Sequence, residues 1–181
     1  MANREQYAPG PASDAQIRKD GENWTLILVR ELRHSPEKVW RALTTPADLR
    51  EWAPFDADGN LGTAGATVNL TTVGAPTPQV SETTVTRADA PKLLEYQWGG
   101  ADIRWELESL HGGTRLTLWH NIDRRFISMG AAGWHICFDV LDELLGGAPI
   151  GRIVGGEAMK FGWPQLNKEY AKQFGVETPS W

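Results

Sequence analysis

The sequence predicts an α+β fold in which an antiparallel sheet wraps one long C-terminal helix. Three observations carry this. Strand patterns separated by Gly, Pro or Asp turns run from Gly59 to Asn121. In the last three strands, Leu94, Tyr96 and Trp98 share a face, as do Ile103, Trp105 and Leu107, and Leu116, Leu118 and His120, with polar residues opposite. Directly afterwards, Gly133 to Gly147 places apolar residues at 134, 137, 138, 141, 144 and 145, the stripe of a helix that covers such a sheet.

Residues 1–22 are polar, contain Pro9 and Pro11 and show no periodicity, which predicts a flexible leader. The first predicted strand runs from Trp24 to Leu32, dense in β-branched and large apolar residues. Ser35 then offers an N-cap and Pro36 suits the first helical position, with Val39, Trp40 and Leu43 on one face. A second short helix starts at Thr45-Pro46-Ala47-Asp48, presents Leu49 and Trp52, and stops at Pro54. Five strand candidates follow, over 66–73, 80–87, 93–98, 103–110 and 114–120, with His111-Gly112-Gly113 as a tight hairpin connection. Gly146 sits where the long helix needs a C-cap. A Gly-rich loop reaches Gly162, and Pro164 to Phe174 reads as a last helix closed by Gly175. The chain therefore divides into a leader, one domain over 23–175 and a tail over 176–181.

Charge and composition exclude several functions. The chain has 181 residues, 18 basic against 23 acidic, and a net charge of −5. Arg124-Arg125 is its densest basic pair, too little for nucleic acid or an anionic membrane as main partner. No apolar run approaches the ~18 residues that span a bilayer, and the N-terminus lacks the apolar core of a signal peptide. A cytoplasmic location is the resulting expectation. One cysteine, Cys137, permits neither an internal disulfide nor a Cys pair for metal. The unusual quantity is tryptophan, 9 residues.

The order of strand, two short helices, antiparallel strands and long helix is that of the helix-grip (START/Bet v-like) fold. The run Ser35-Pro36-Glu37-Lys38-Val39-Trp40-Arg41-Ala42-Leu43-Thr44-Thr45-Pro46-Ala47-Asp48-Leu49-Arg50-Glu51-Trp52 resembles the opening motif of the START-like SRPBCC superfamily. The stretches 92–98 and 114–120, and Gly133-Trp134 before the helix, resemble its branch named for the activator of the ninety-kilodalton heat-shock protein ATPase, the AHSA-like proteins. The likeness spans about residues 24–145. It implies a curved sheet gripping the helix around a cavity for hydrophobic small molecules, but no single reaction. The tail from Gly147 departs from the short endings expected of the branch.

Within that cavity the inward series nominates Tyr96, Trp98, Trp105, Leu118 and Phe138 as ligand-lining residues, with His120 as the polar handle. The same aromatics equally suit a filled interior. His120 ends its series near the cavity mouth, where a neutral imidazole can orient a carbonyl or hydroxyl, or serve as catalytic acid/base. The alternative is a structural histidine bonded at the strand end. His135, Asp139 and Asp142 lie opposite the apolar stripe and are expected to be solvated; no metal site is predicted from them. GGAPIGRIVGG lacks the Lys-Ser/Thr and preceding strand of a phosphate loop, and no motif for a cofactor or covalent nucleophile is present. Trp119, on the polar side of its strand, is the interface candidate, for a partner or for a homodimer. Trp40, Trp52 and Trp134 are assigned to the fold and Trp24 to anchoring the first strand, leaving Trp163 and Trp181 unexplained. The reading is a binder of a hydrophobic small molecule without covalent catalysis. The alternatives are a cyclase- or hydrolase-type enzyme using His120 and a chaperone-cofactor-like interaction module.

Overall fold

The computed structural model describes residues 4–13 and 15–177. Strand β1 (Ala15–Asp20) turns into β2 (Asn23–Leu32), followed by helices α1 (Pro36–Thr44) and α2 (Pro46–Trp52). Seven strands come next: β3 (Phe55–Ala57), β4 (Thr67–Thr72), β5 (Gln79–Thr84), β6 (Arg87–Asp89), β7 (Leu93–Trp98), β8 (Ala101–Leu110) and β9 (Gly113–Asn121). Helices α3 (Ile127–Leu145) and α4 (Trp163–Phe174) close the chain, with a 3-10 turn (Gly155–Phe161) between them.

A curved six-stranded sheet has the order β1-β2-β9-β8-β7-β6, and β3-β4-β5 form a second sheet; all pairings are antiparallel. The register puts Leu28 and Trp105 on either side of Leu118, and Leu26 and Ile103 on either side of His120. Facing residues share a side of the pleat, so the alternation in sequence becomes one continuous inner face. That face packs on α3, as predicted.

The short helices form as their caps dictate. The Ser35 hydroxyl accepts from the Lys38 amide, Pro36 occupies the first turn, and the Trp52 indole donates to the Ala42 carbonyl at 2.9 Å, locking α2 on α1. Helix α3 starts at Ile127, six residues before the predicted start, so it carries Gly130 and Gly133 inside it.

Two expectations need correction. The leader is ordered where it is described: Ala15–Asp20 pair with β2, the Tyr7 hydroxyl donates to Asp139, and Arg4 donates to the carbonyls of Gly151 and Arg152, both at 2.9 Å. Sequence pattern missed β1 because it is an edge strand that buries no residue fully. The His135–Asp139 face of α3 is not solvated. Helix α4 covers it, bringing the Tyr170 hydroxyl to 2.7 Å from His135 Nδ1, while Arg30 of β2 pairs with Asp139 at 2.6 Å. With sheet on one side and α4 on the other, α3 leaves His135 and Asp139 covered, and of the three polar residues only Asp142, about half exposed, keeps the expected contact with solvent. The end of the predicted tail, 178–181 with Trp181, lies outside the described residues.

Candidate functional site

At one end of the sheet, where β7 and β9 finish, the first half of α3 stands off and leaves a cavity of about 760 Å³. The sheet contributes Trp98, His120 and Asn121, and the turn after β9 adds Ile122. Helix α3 contributes Met129, Gly130, Gly133, Trp134 and Cys137. The third wall comes from the segment after α3: Ile153, Val154, Gly155, Gly156, Ala158 and Met159, together with Trp163.

Glycine makes the space. A Cβ on Gly133 would meet nothing within 4 Å, and the same holds for Gly156 across the cavity. Gly130, one turn before Gly133, instead lets Ile122 close in; a Cβ there would lie 2.5 Å from Ile122 Cδ1. Farther along, Gly155 (φ 58°) crosses Gly74 (φ 88°) so closely that a Cβ on Gly155 would fall 2.1 Å from the Gly74 carbonyl oxygen. Only glycine meets both demands there, left-handed backbone and bare contact. Arg152 secures the same segment by donating to the Leu49 carbonyl at 3.1 Å and to Asp56 at 2.6 Å.

His120 is the polar centre of the wall. It is 7% exposed, stacks on Trp98 at 5.7 Å between centroids, and its Nδ1 accepts from the Trp134 indole N–H at 3.0 Å. Burial lowers its pKa from 6.5 to about 4, so the ring is neutral at neutral pH. Trp98 is fixed in turn, its indole donating to Thr72 Oγ1 at 2.9 Å. Among the described residues no Asp, Glu, Lys or Arg is on the wall. Cys137 borders it, but burial pushes its thiol up to about 12, which leaves no reactive thiolate.

Of the residues nominated from sequence, the structure brings Trp98 and His120 together on the cavity wall. Tyr96, Trp105, Leu118 and Phe138 face inward as predicted but belong to the closed core beside the cavity, not to its wall. The Trp105 indole donates to the Tyr96 hydroxyl at 3.1 Å, and Trp105 packs edge-on against Trp134 at 5.5 Å. These side chains fill the space that α3 leaves farther along the sheet, which is why no wall remains for them to line. Trp119 lies on the outer face, half-buried in a polar groove with Arg18 and Arg104, rather than standing exposed. Sequence reasoning missed Trp134 as His120's partner, Gly133, and the whole third wall. The glycines of 130–133 and 146–156 were the available signal.

The polar cluster on the other side of α3 is self-satisfied. Asp139 holds Arg30 and Tyr7, and Tyr170 bonds to His135 and to Ser13. Burial raises the Tyr7 and Tyr170 hydroxyls, keeping both protonated. Among the described residues no group of three or more His, Cys, Asp or Glu could hold a metal ion, and no helix is long and apolar enough to cross a membrane.

A sheet curved round a long helix, open at one end into a mostly apolar recess, defines the class: a helix-grip protein. The sequence profile of the family described as Activator of Hsp90 ATPase homolog 1-like protein matches residues 33–146, well over half of the chain, and the chain belongs to that family. No curated protein matches it in sequence. Among solved structures, the conserved protein of unknown function EF2215 from Enterococcus faecalis is similar, with 19% identity and a TM-score of 0.67 over 88% of this chain and 89% of that one. CalU16 from Micromonospora echinospora shows 19% identity and a TM-score of 0.61 over 90% and 94%. The protein encoded by BPP1335 of Bordetella parapertussis shows 22% and 0.61 over 98% and 97%. These likenesses concern the fold. The family match ends at residue 146, so the whole third wall lies beyond it.

Proposed function

We propose that the protein binds a hydrophobic small molecule in the cavity between sheet, α3 and the segment after it, without covalent catalysis. The observation that carries this is the cavity itself: about 760 Å³, inside the range of ~300–1,000 Å³ typical of small-molecule sites, with an uncharged wall and few polar groups. Gly133 of α3 faces open space at a position where a larger side chain would help complete a core. Phe126 and Met159, each about half exposed, flank the opening and give an apolar guest a way in.

Family membership is compatible with either a ligand-binding or an interaction module. The enzyme reading asks His120 to take up a proton, and a buried ring with a pKa near 4 is a weak base at neutral pH. It is better suited to donating a hydrogen bond. Binding is tested with Nile red, an uncharged dye whose emission rises in apolar surroundings. The wild-type protein should bind it saturably at one site. Gly133→Leu, which projects a branched side chain from α3 into the open space at Gly133, should weaken the signal while the circular dichroism spectrum stays unchanged. Equal binding by both proteins would assign the dye to the surface and overturn the reading.

A further inference from the structure

The His120–Trp134 pair decides what kind of guest the cavity prefers. An indole N–H is a donor only, so the nitrogen that receives it, Nδ1, carries no proton. A neutral ring then holds its single proton at Nε2. That nitrogen has no hydrogen-bond partner among the described residues, and the ring borders the cavity. The two walls facing it supply Ile122, Met129, Ile153 and Ala158, with no cation or carboxylate among the described residues to neutralise a charged guest.

We infer that the guest is an uncharged molecule with a flat apolar body and a hydrogen-bond acceptor, a carbonyl or ether oxygen, which docks on His120 Nε2–H. This rests on the cavity reading above and deepens it. Trp134 is the positioning residue: by occupying Nδ1 it selects the tautomer that aims a donor into the cavity. A carboxylate or ammonium guest would give up its hydration and find no opposite charge. A guest without an acceptor would leave the Nε2–H unpaired, which costs it the affinity of one hydrogen bond.

Four naphthalene probes separate these cases in competition with Nile red: 2-acetylnaphthalene, 2-ethylnaphthalene, 2-naphthoate and 2-naphthylmethylammonium. They share one ring system and differ in acceptor and charge. The acetyl compound should bind about ten-fold more tightly than the ethyl compound, one hydrogen bond's worth. The two ions should bind more weakly than either. In Trp134→Phe the tenfold preference should shrink, and 15N spectra of the labelled histidines should show the His120 proton redistributing between Nε2 and Nδ1, a change that loss of packing alone does not produce. Equal binding of acetyl and ethyl probes, or tight binding of either ion, overturns the inference and leaves the cavity reading standing. If none of the probes displaces the dye and the dye itself does not bind, both fall.

Discussion

The two halves of α3 face the same inner surface of the same sheet and end up with opposite characters. Around Phe138 and Leu141 the helix meets Trp105, Tyr96 and Leu118, and the interior closes completely; each of these is at most 2% exposed. One to two turns earlier the helix offers Gly130 and Gly133, and the sheet's Trp98 and His120 look into open space. The sheet supplies large aromatic residues at both ends. The difference lies in the volume that the helix returns, so helix side chains, and not the sheet's aromatics, determine where a cavity forms.

The largest effect should come from breaking the closed end. Trp105→Ala removes a buried indole and leaves the Tyr96 hydroxyl unpaired, which should cost about 3–5 kcal/mol in urea unfolding. Trp98→Ala, at the cavity, should cost roughly 2 kcal/mol or less because its ring is only partly buried and one side is already empty. Equal losses would erase the distinction between the ends.

Acid sharpens the comparison next. His120 has a pKa of about 4 folded against 6.5 unfolded, so between those values the unfolded chain binds more protons. Its contribution is fully present above pH 6.5 and is lost as pH falls towards 4, a loss on the order of 3 kcal/mol. Burial lowers the His135 pKa too and acts in the same direction. The measurement is therefore a difference: unfolding free energy at pH 7 and pH 4.5 for wild type and His120→Phe. The variant should lose less on acidification; an identical loss would show that His120 is solvated in the native state.

The smallest effect concerns the open end alone. Gly133→Ala puts a methyl group into empty space in the middle of a helix and should stabilise the protein by about 1 kcal/mol, read as a raised melting temperature. At Gly130 the same change should gain less than at Gly133, since its Cβ has to displace the end of the Ile122 side chain.

Much of this was legible in the residues. The alternation in β7, β8 and β9 identified the inner face and placed His120 on it, and the Ser35-Pro36 and Thr45-Pro46 signals located α1 and α2. Alternation reports which face a residue takes and is silent on depth. Tyr96, Trp105, Leu118 and Phe138 were read as wall for that reason, although they share the face that His120 and Trp98 occupy. Trp134 looked like a fold residue because its role depends on a histidine in a different element, brought within 3.0 Å only by packing. Trp163, unexplained in sequence, lines the cavity from a segment whose glycines suggested nothing more than a loop.

Local chemistry was thus enough for the order of the elements, the caps, the inward face and the absence of a concentrated charge. Those properties arise from interactions a few residues apart or from period alone. The cavity, the protonated nitrogen of His120 and the third wall were decided in three dimensions. Each depends on how much volume one element presents to another far along the chain, and periodicity within either element carries no record of it.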